Sequence, residues 1–326
     1  MITIKDIARL AGVSYSTVSK ALNGDPRIKL STRQKVLEIA EKYNYRKNIL
    51  ATQLSSGKSN IIGFVLDEPS SNPLFSSIAK NLHHELKKRG YQMILVVSMD
   101  GYEIFSQLRV DGCIFWDYRP SQREDFVKDL ATLHIPWFLL GVDDDPRSPY
   151  IKIDRKAGIH LAVEHLATFG HRRIGFIGNS QDIKLQGYRE ALDRLGLPYS
   201  ADFVLPAHST WEDGYLAIRR FPFGKDAPTA FIGLNNMVTR GALRGLLELG
   251  FKVPDDISLI GYDDLPEMQY AEVALTTVGP PLDEMAVQAA DLIVALIKNE
   301  PVRYPFVVRP RIQQRDSVAA CREAGG

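Results

Sequence analysis

The stretch Val13 to Gly24 reads VSYSTVSKALNG, and its polar residues are small hydroxyls with one tyrosine, one lysine and one asparagine. Wound into a helix, it turns Val18, Ala21 and Leu22 to one side and Tyr15, Ser16, Ser19 and Lys20 to the other. The outer face suits the major groove of DNA. Small hydroxyls allow close approach to base edges, Tyr15 offers a long polar tip, and Lys20 reaches acceptor atoms on a guanine. A second set of polar groups closes apolar runs much later in the chain. Asn235 and Asn236 follow TAFIGL, Asp263 and Asp264 follow SLIGY, and Lys184 and Trp211 stand near helix starts. Planar amides and carboxylates bridge neighbouring hydroxyls, and an aromatic face suits the C–H side of a sugar ring. Asp264 is read as a turn residue.

Positioning the first set requires a small helical module. Ile4, Ile7, Ala8 and Ala11 fall at i, i+3, i+4 and i+7, with Thr3 and Asp6 spaced to cap the start. Gly12 permits a tight turn, and Ser14 caps a second helix running to Leu22. A third helix is expected from a cap at Ser31, with Val36, Ile39, Ala40 and Tyr43 as its apolar stripe. Three short helices with the second presented by a glycine turn describe a helix-turn-helix domain, here assigned to residues 1–47. Residues 48–60 read as a short helix capped by Asn48, with Ile49, Ala51 and Leu54 along an apolar edge, then a Ser-Ser-Gly break. So short a helix orders only against a support such as DNA or a partner chain.

The second set belongs to a different architecture. Apolar runs at 61–66, 93–97, 112–116, 137–142, 173–178, 229–234 and 258–263 alternate with helical patterns such as 76–89, 156–169, 184–195 and 236–249. Continuous apolar strands between helices predict parallel sheets covered on both faces. The fold class expected is an all-α helix-turn-helix head plus an α/β core of two doubly wound parallel-sheet subdomains, the second beginning at RIGFIG. The core is assigned to 61–318 and a tail to 319–326. Ligands of open α/β sheets collect at the carboxyl ends of strands, which places a cleft between the subdomains.

Charge separates the same two regions. Residues 1–60 hold 11 Lys or Arg against 4 Asp or Glu, although the whole chain carries only +1. A basic head on an acidic body is the footprint of a nucleic-acid reader joined to another function. No apolar run approaches the ~20 residues of a membrane span, and Asp6 and Arg9 interrupt the start where a signal peptide needs an apolar core, so the expected location is cytoplasmic. Cys113 sits inside the apolar run CIFW as a buried small hydrophobe. His160 and His165 lie five apart, about 140° around a helix, and no nucleophile elbow, P-loop or complete dinucleotide fingerprint occurs. No catalysis, cofactor or metal is expected.

IKDIARLAGVSYSTVSKALNG, followed by TRQKVLEIAEKYNY and Asn48, resembles the DNA-binding module of the lactose repressor (LacI-type) family of bacterial transcription regulators. HLAVEHLATFGHRRIGFIG, GALRGLLELGFKVPDDISLIGYDD and LTTVGPPLDEMAVQAADLI resemble that family's regulatory core, itself similar to periplasmic sugar-binding proteins. The resemblance implies a ligand-controlled repressor acting as a homodimer on double-stranded operator DNA. It places Tyr15, Ser16 and Lys20 on bases and Thr17, Asn23 and the start of the third helix, at Thr32, on the DNA backbone, with Ser14 and Ser19 also among the DNA contacts. Asn48, Ala51 and Leu54 fall in a hinge helix of the minor groove, where Leu54 acts as a wedge between base steps. In the core, Phe75, Lys184, Trp211, Asn235 and Asp263 are implied effector contacts, the effector being a small molecule, best read as a sugar. Lys20, Lys184 and Asn236 stand where the family more often has Arg, Arg and Asp, and Lys47 where many members have Pro. The segment 90–110 is shorter than the family's strand, loop and helix. The alternative is a sugar-binding protein without operator-specific DNA binding, which the positive charge around the glycine-turned helix argues against.

Overall fold

The computed structural model describes residues 2–22, 24–45, 58–66, 72–97, 104–116, 134–143, 148–179 and 182–322. The chain divides into two compact units, Met1–Ser59 and Asn60–Gly326.

In the first unit, α1 (Ile4–Ala11) opens on a reciprocal capping box between Thr3 and Asp6 and closes on Gly12 at φ +69°, a left-handed conformation that glycine adopts without strain. The Ser14 hydroxyl accepts from the Thr17 N–H at 3.1 Å and so caps α2 (Tyr15–Leu22). Ile7, Ala11, Val18, Ala21, Val36 and Ala40 form the core with α3 (Leu30–Lys42). Two expectations fail in α3. Its cap residue is Lys29, whose side chain makes no capping bond, because Leu30 is already helical and Ser31 lies within the first turn. Tyr43 ends the helix and is 46% exposed, so the apolar stripe stops at Ala40.

The second unit contains two six-stranded sheets. The elements of the first are β1 (Ile61–Leu66), α4 (Pro73–Lys88), β2 (Gln92–Val96), α5 (Ile104–Leu108), β3 (Gly112–Trp116), β4 (Trp137–Val142) and β5 (Tyr150–Ile153). Those that follow are α6 (Arg155–Thr168), β6 (Ile174–Gly178), α7 (Ile183–Arg194), β7 (Val204–Pro206), α8 (Trp211–Arg220), β8 (Ala230–Gly233), α9 (Asn236–Glu248), β9 (Ser258–Tyr262), α10 (Pro266–Gln269) and β10 (Thr276–Gly279). The chain ends through α11 (Leu282–Ile297), β11 (Phe306–Val308) and β12 (Arg311–Gln313).

The first sheet runs β11-β5-β4-β3-β1-β2, all parallel; the second runs β12-β10-β9-β8-β6-β7, with β12 antiparallel to β10. Ile78, Leu82 and Leu86 of α4 and Met285, Ala289 and Ile293 of α11 cover the first sheet, packing on Ile62, Phe64 and Ile114. The second sheet is covered by α6, α7 and α9 through residues such as Ile159, Tyr188 and Leu243. The central strands of both sheets are buried along their whole length, which is why they read as unbroken apolar runs.

The two sets of strands are not simply consecutive in sequence. The chain crosses from one sheet to the other after β5, after β10 and after β11. Strands β5, β7, β10, β11 and β12, of three or four residues, are too short to carry a periodic signal. The shortened segment after β2 ends in α5, a helix of only 5 residues. Residues assigned to a tail are instead pinned to the second sheet's layer: the Ala319 N–H donates to Ser258 Oγ at 3.1 Å and the Cys321 N–H to the Phe169 carbonyl at 2.7 Å.

Candidate functional site

Of the four residues the sequence turns outward on α2, three are exposed and Ser19 is half-buried. Tyr15 is 44% exposed, Ser14, Ser16 and Lys20 are exposed, and Thr17, Ser19 and Thr32 are half-buried. Thr17 and Ser14 are also joined hydroxyl to hydroxyl at 2.9 Å, so the first turn of α2 is fixed from within. Its far end is fixed by α3: Arg33 Nη2 donates to the carbonyls of Gly24 and Asp25, at 2.8 and 2.6 Å. Asp25 in turn pairs with Arg27, whose guanidinium holds the carboxyl well below the usual carboxylate range. Asn23, Asn48, Ala51 and Leu54 lie outside the described residues.

In the core, the charged side chains of Asp143, Arg155, Asp182, Lys184 and Asp263 come together where strands of both sheets end. Asp263 follows β9 at φ +72°, held by its N–H donating to the Val278 carbonyl at 2.8 Å. Lys184, in the first turn of α7, directs its Nζ to the Leu234 carbonyl at 2.8 Å and lies 4.0 Å from the Tyr262 ring centroid. Arg155, at the start of α6, bonds Asp143 Oδ1 at 2.8 Å and the Gly141 carbonyl at 2.6 Å, both just at the end of β4. Burial pushes the Lys184 ammonium down from its ordinary range, with Asp182 and Asp263 opposing that shift. Burial likewise pushes the Asp263 carboxyl up, against the pull of Lys184 and Arg155. Opposite charges and carbonyl dipoles within reach offset part of the cost of taking these groups out of water.

Asn235 is the cap of α9. Its Oδ1 accepts from the Val238 N–H at 2.8 Å and its Nδ2 donates to the Ser209 carbonyl at 3.1 Å. Asn236 is fully buried, with neither amide atom hydrogen-bonded. Phe75 packs edge-on to Trp116 at the end of β3, with ring centroids 6.1 Å apart. Lys184 and Asp263 thus share one electrostatic cluster, Asn235 follows the Leu234 carbonyl that Lys184 uses, and Phe75 sits at the strand ends of the first sheet. Trp211 is placed differently. Its ring stacks on Tyr215 of its own helix, 5.3 Å away and 10° from parallel, and it is Ser209 that bonds Asn235.

Asp264 has the structural place expected for it, accepting from Thr277 Oγ1 at 2.7 Å and pairing with Arg315 at 2.6 Å. It also lines a cavity of ≈ 440 Å³ with Ser77, Lys80, Pro280, Pro281 and Arg311, which includes none of the predicted effector residues. Arg155, Asp143 and Tyr262 were not legible as site residues. Arg155 looks like an ordinary basic residue after a cap, and Asp143 like one of three aspartates in a loop. A nearest-neighbour signal for either lies only in the fold, since they are twelve residues apart.

Residues 3–48 match the model of bacterial regulatory proteins of the lacI family, and residues 163–318 that of a periplasmic binding protein-like domain. The probable HTH-type transcriptional repressor ExuR of Bacillus subtilis is 31% identical over 98% of this chain and 98% of its own. The solved lac repressor dimer bound to operator and the anti-inducer ONPF aligns over 98% of this chain and 99% of its own, at 24% identity and a TM-score of 0.84, a likeness of fold. A complex of the transcriptional regulator CelR with cellobiose aligns over 97% and 100%, at 27% identity and a TM-score of 0.70. The chain belongs to the LacI family of bacterial regulatory proteins and is a DNA-binding transcriptional regulator, not matched to enzymes among these relatives.

Proposed function

We propose that this chain is a repressor that binds operator DNA as a homodimer, each head reading one half-site, and that a small sugar bound at the strand ends of the core sets its DNA affinity. The observation that carries the reading is the exposed Tyr15, Ser16 and Lys20 face of a helix held at one end by a left-handed glycine turn and at the other by Arg33. A single small module makes too few base contacts for genomic discrimination, and two-fold pairing doubles them. Leu54 is assigned the minor-groove wedge, and Asn48 and Ala51 the adjoining contacts. The effector contacts are assigned to Lys184, Asn235 and Asp263, with Phe75 as an aromatic wall. CelR in its cellobiose complex supports a sugar, as does the hydroxyl-bridging chemistry of Asn235 and Asp263.

Among the described residues no helix is long and apolar enough to cross a membrane. We place the protein in the cytoplasm, with binding rather than catalysis as its work. The test is selection of duplexes from a randomised pool by the full-length protein at moderate salt. Enrichment of two related half-sites in inverted order is expected; recovery of no preferred sequence overturns the reading.

A further inference from the structure

The core site holds two cations that are almost fully buried, Arg155 at 4% and Lys184 at 5% exposure. Both are already engaged by the protein. The Arg155 guanidinium meets a carboxylate and a carbonyl from the end of β4, and the Lys184 ammonium meets the Leu234 carbonyl and the Tyr262 ring, with Asp263 in electrostatic range of both cations. Asp143 differs from the other members in origin. It follows the first sheet, whereas Arg155, Lys184 and Asp263 stand on elements of the second sheet's layer. In sequence, moreover, the last residues of β1, β3 and β4 are each followed at once by an aspartate: Asp67, Asp117 and Asp143.

Resting on the reading of a sugar effector, we propose that this site offsets its cations with carboxylates of its own and selects neutral polyhydroxylated ligands over sugar acids and sugar phosphates, with Asp143 as the specificity-determining residue. A neutral hydroxyl donates to a carboxylate and accepts from a cation, so a polyol satisfies Asp143 and Asp263 as well as Arg155 and Lys184. An anion faces a different balance. To reach Arg155 it must displace Asp143, which leaves that carboxylate beside it without its partner; otherwise it sits against Asp143 and Asp263 in a partly dehydrated site, where like charges repel strongly. Discrimination of this kind comes from the unfavourable arrangement offered to the wrong ligand as much as from contacts with the right one.

The experiment uses full-length protein and calorimetric titration with matched pairs: galactose and galacturonate, glucose and glucose 6-phosphate, cellobiose and cellobionate. In each pair that binds, the neutral member is expected to bind at least about tenfold tighter than the anion, the size expected for one unfavourable charge contact. Asp143→Asn, which removes the negative charge that Asp143 sets against Arg155, is expected to move the anion-to-neutral affinity ratio about tenfold toward the anion, and Asp143→Glu to restore the original preference. The side chain of Asp143 is 36% exposed, so these changes fall at the mouth of the cluster. Equal or tighter binding of the anions by the unmodified protein overturns the proposal. So does a ratio that Asp143→Asn leaves unmoved. Binding of the anions alone overturns the charge selection and keeps the sugar reading; binding of no member of any pair removes both.

Discussion

The head and the charged cluster of the core solve opposite problems with polar side chains. The head leaves Tyr15, Ser16 and Lys20 in water, where they cost little and wait for a polyanion; the core buries Arg155, Lys184 and Asp263 and must balance them internally. Exposed chemistry follows from local sequence, because a helix sets which residues share a face. Buried charge depends on neighbours distant in the chain. The comparison predicts that, with the other ligand absent, changes in one region leave the other's ligand binding nearly intact, and it can be broken from either side.

The largest effect is expected where the core brings its helices into contact. A Cβ at Gly241 would lie 1.9 Å from the Trp211 carbonyl oxygen, so Gly241→Ala must push α8 and α9 apart. Overpacking against backbone predicts a loss of about 3 kcal/mol or more in core stability. Urea melts followed by tryptophan fluorescence check this, since Trp116, Trp137 and Trp211 all lie in the core unit. Next is Asp263→Asn, which keeps a residue tolerant of the left-handed conformation but removes the charge. Loss of a charged hydrogen-bond acceptor, roughly 2 kcal/mol, predicts a fall of about thirtyfold in effector affinity with operator binding retained. Titration of effector and of DNA on the same preparation separates the two.

On the other side, Lys20→Ala is expected to cost about 1–2 kcal/mol of operator affinity and leave effector affinity unchanged. If Lys20 meets a base only, the salt slope stays; if it meets phosphate, the slope falls by about one. Gly12→Ala is expected to cost about 1 kcal/mol through the left-handed turn alone, because nothing lies within 4 Å of a Cβ there. Helix content on heating, measured by circular dichroism, checks it. The smallest effect concerns acid. His171 is 3% exposed, and burial pushes its imidazole below the ordinary value while the Ala319 carbonyl opposes. A depressed histidine binds fewer protons folded than unfolded, so its contribution is complete above the unfolded value of about 6.5 and declines as pH falls toward the folded one. The core melting temperature should drop between pH 7 and pH 5, and His171→Gln should flatten that drop.

How much of this was legible depended on range. Thr3, Asp6, Gly12 and Ser14 announced the first two helices because capping and turn chemistry act across three or four residues. The misplaced start of α3 shows the limit of the same signal, since a serine inside a first turn looks like one before it. The long central strands were visible as apolar runs, whereas β5, β10 and β11, which decide where the chain crosses between sheets, were not. Lys184, Asn235 and Asp263 could be found from strand ends and family likeness. Their partners could not.

The sequence by itself determined the two regions, the basic and the acidic, the polar face of α2, and the parallel α/β character of the core, because each rests on composition or on periods of 2 and 3.6 residues. Tertiary structure decided that Arg155 meets Asp143 and Gly141, that Trp211 turns to Tyr215, and that Asp263 shares its surroundings with Lys184, 79 positions earlier in the chain. A buried charge is stable only beside the groups that replace its water, and those groups are chosen by the packing of sheets rather than by order along the chain.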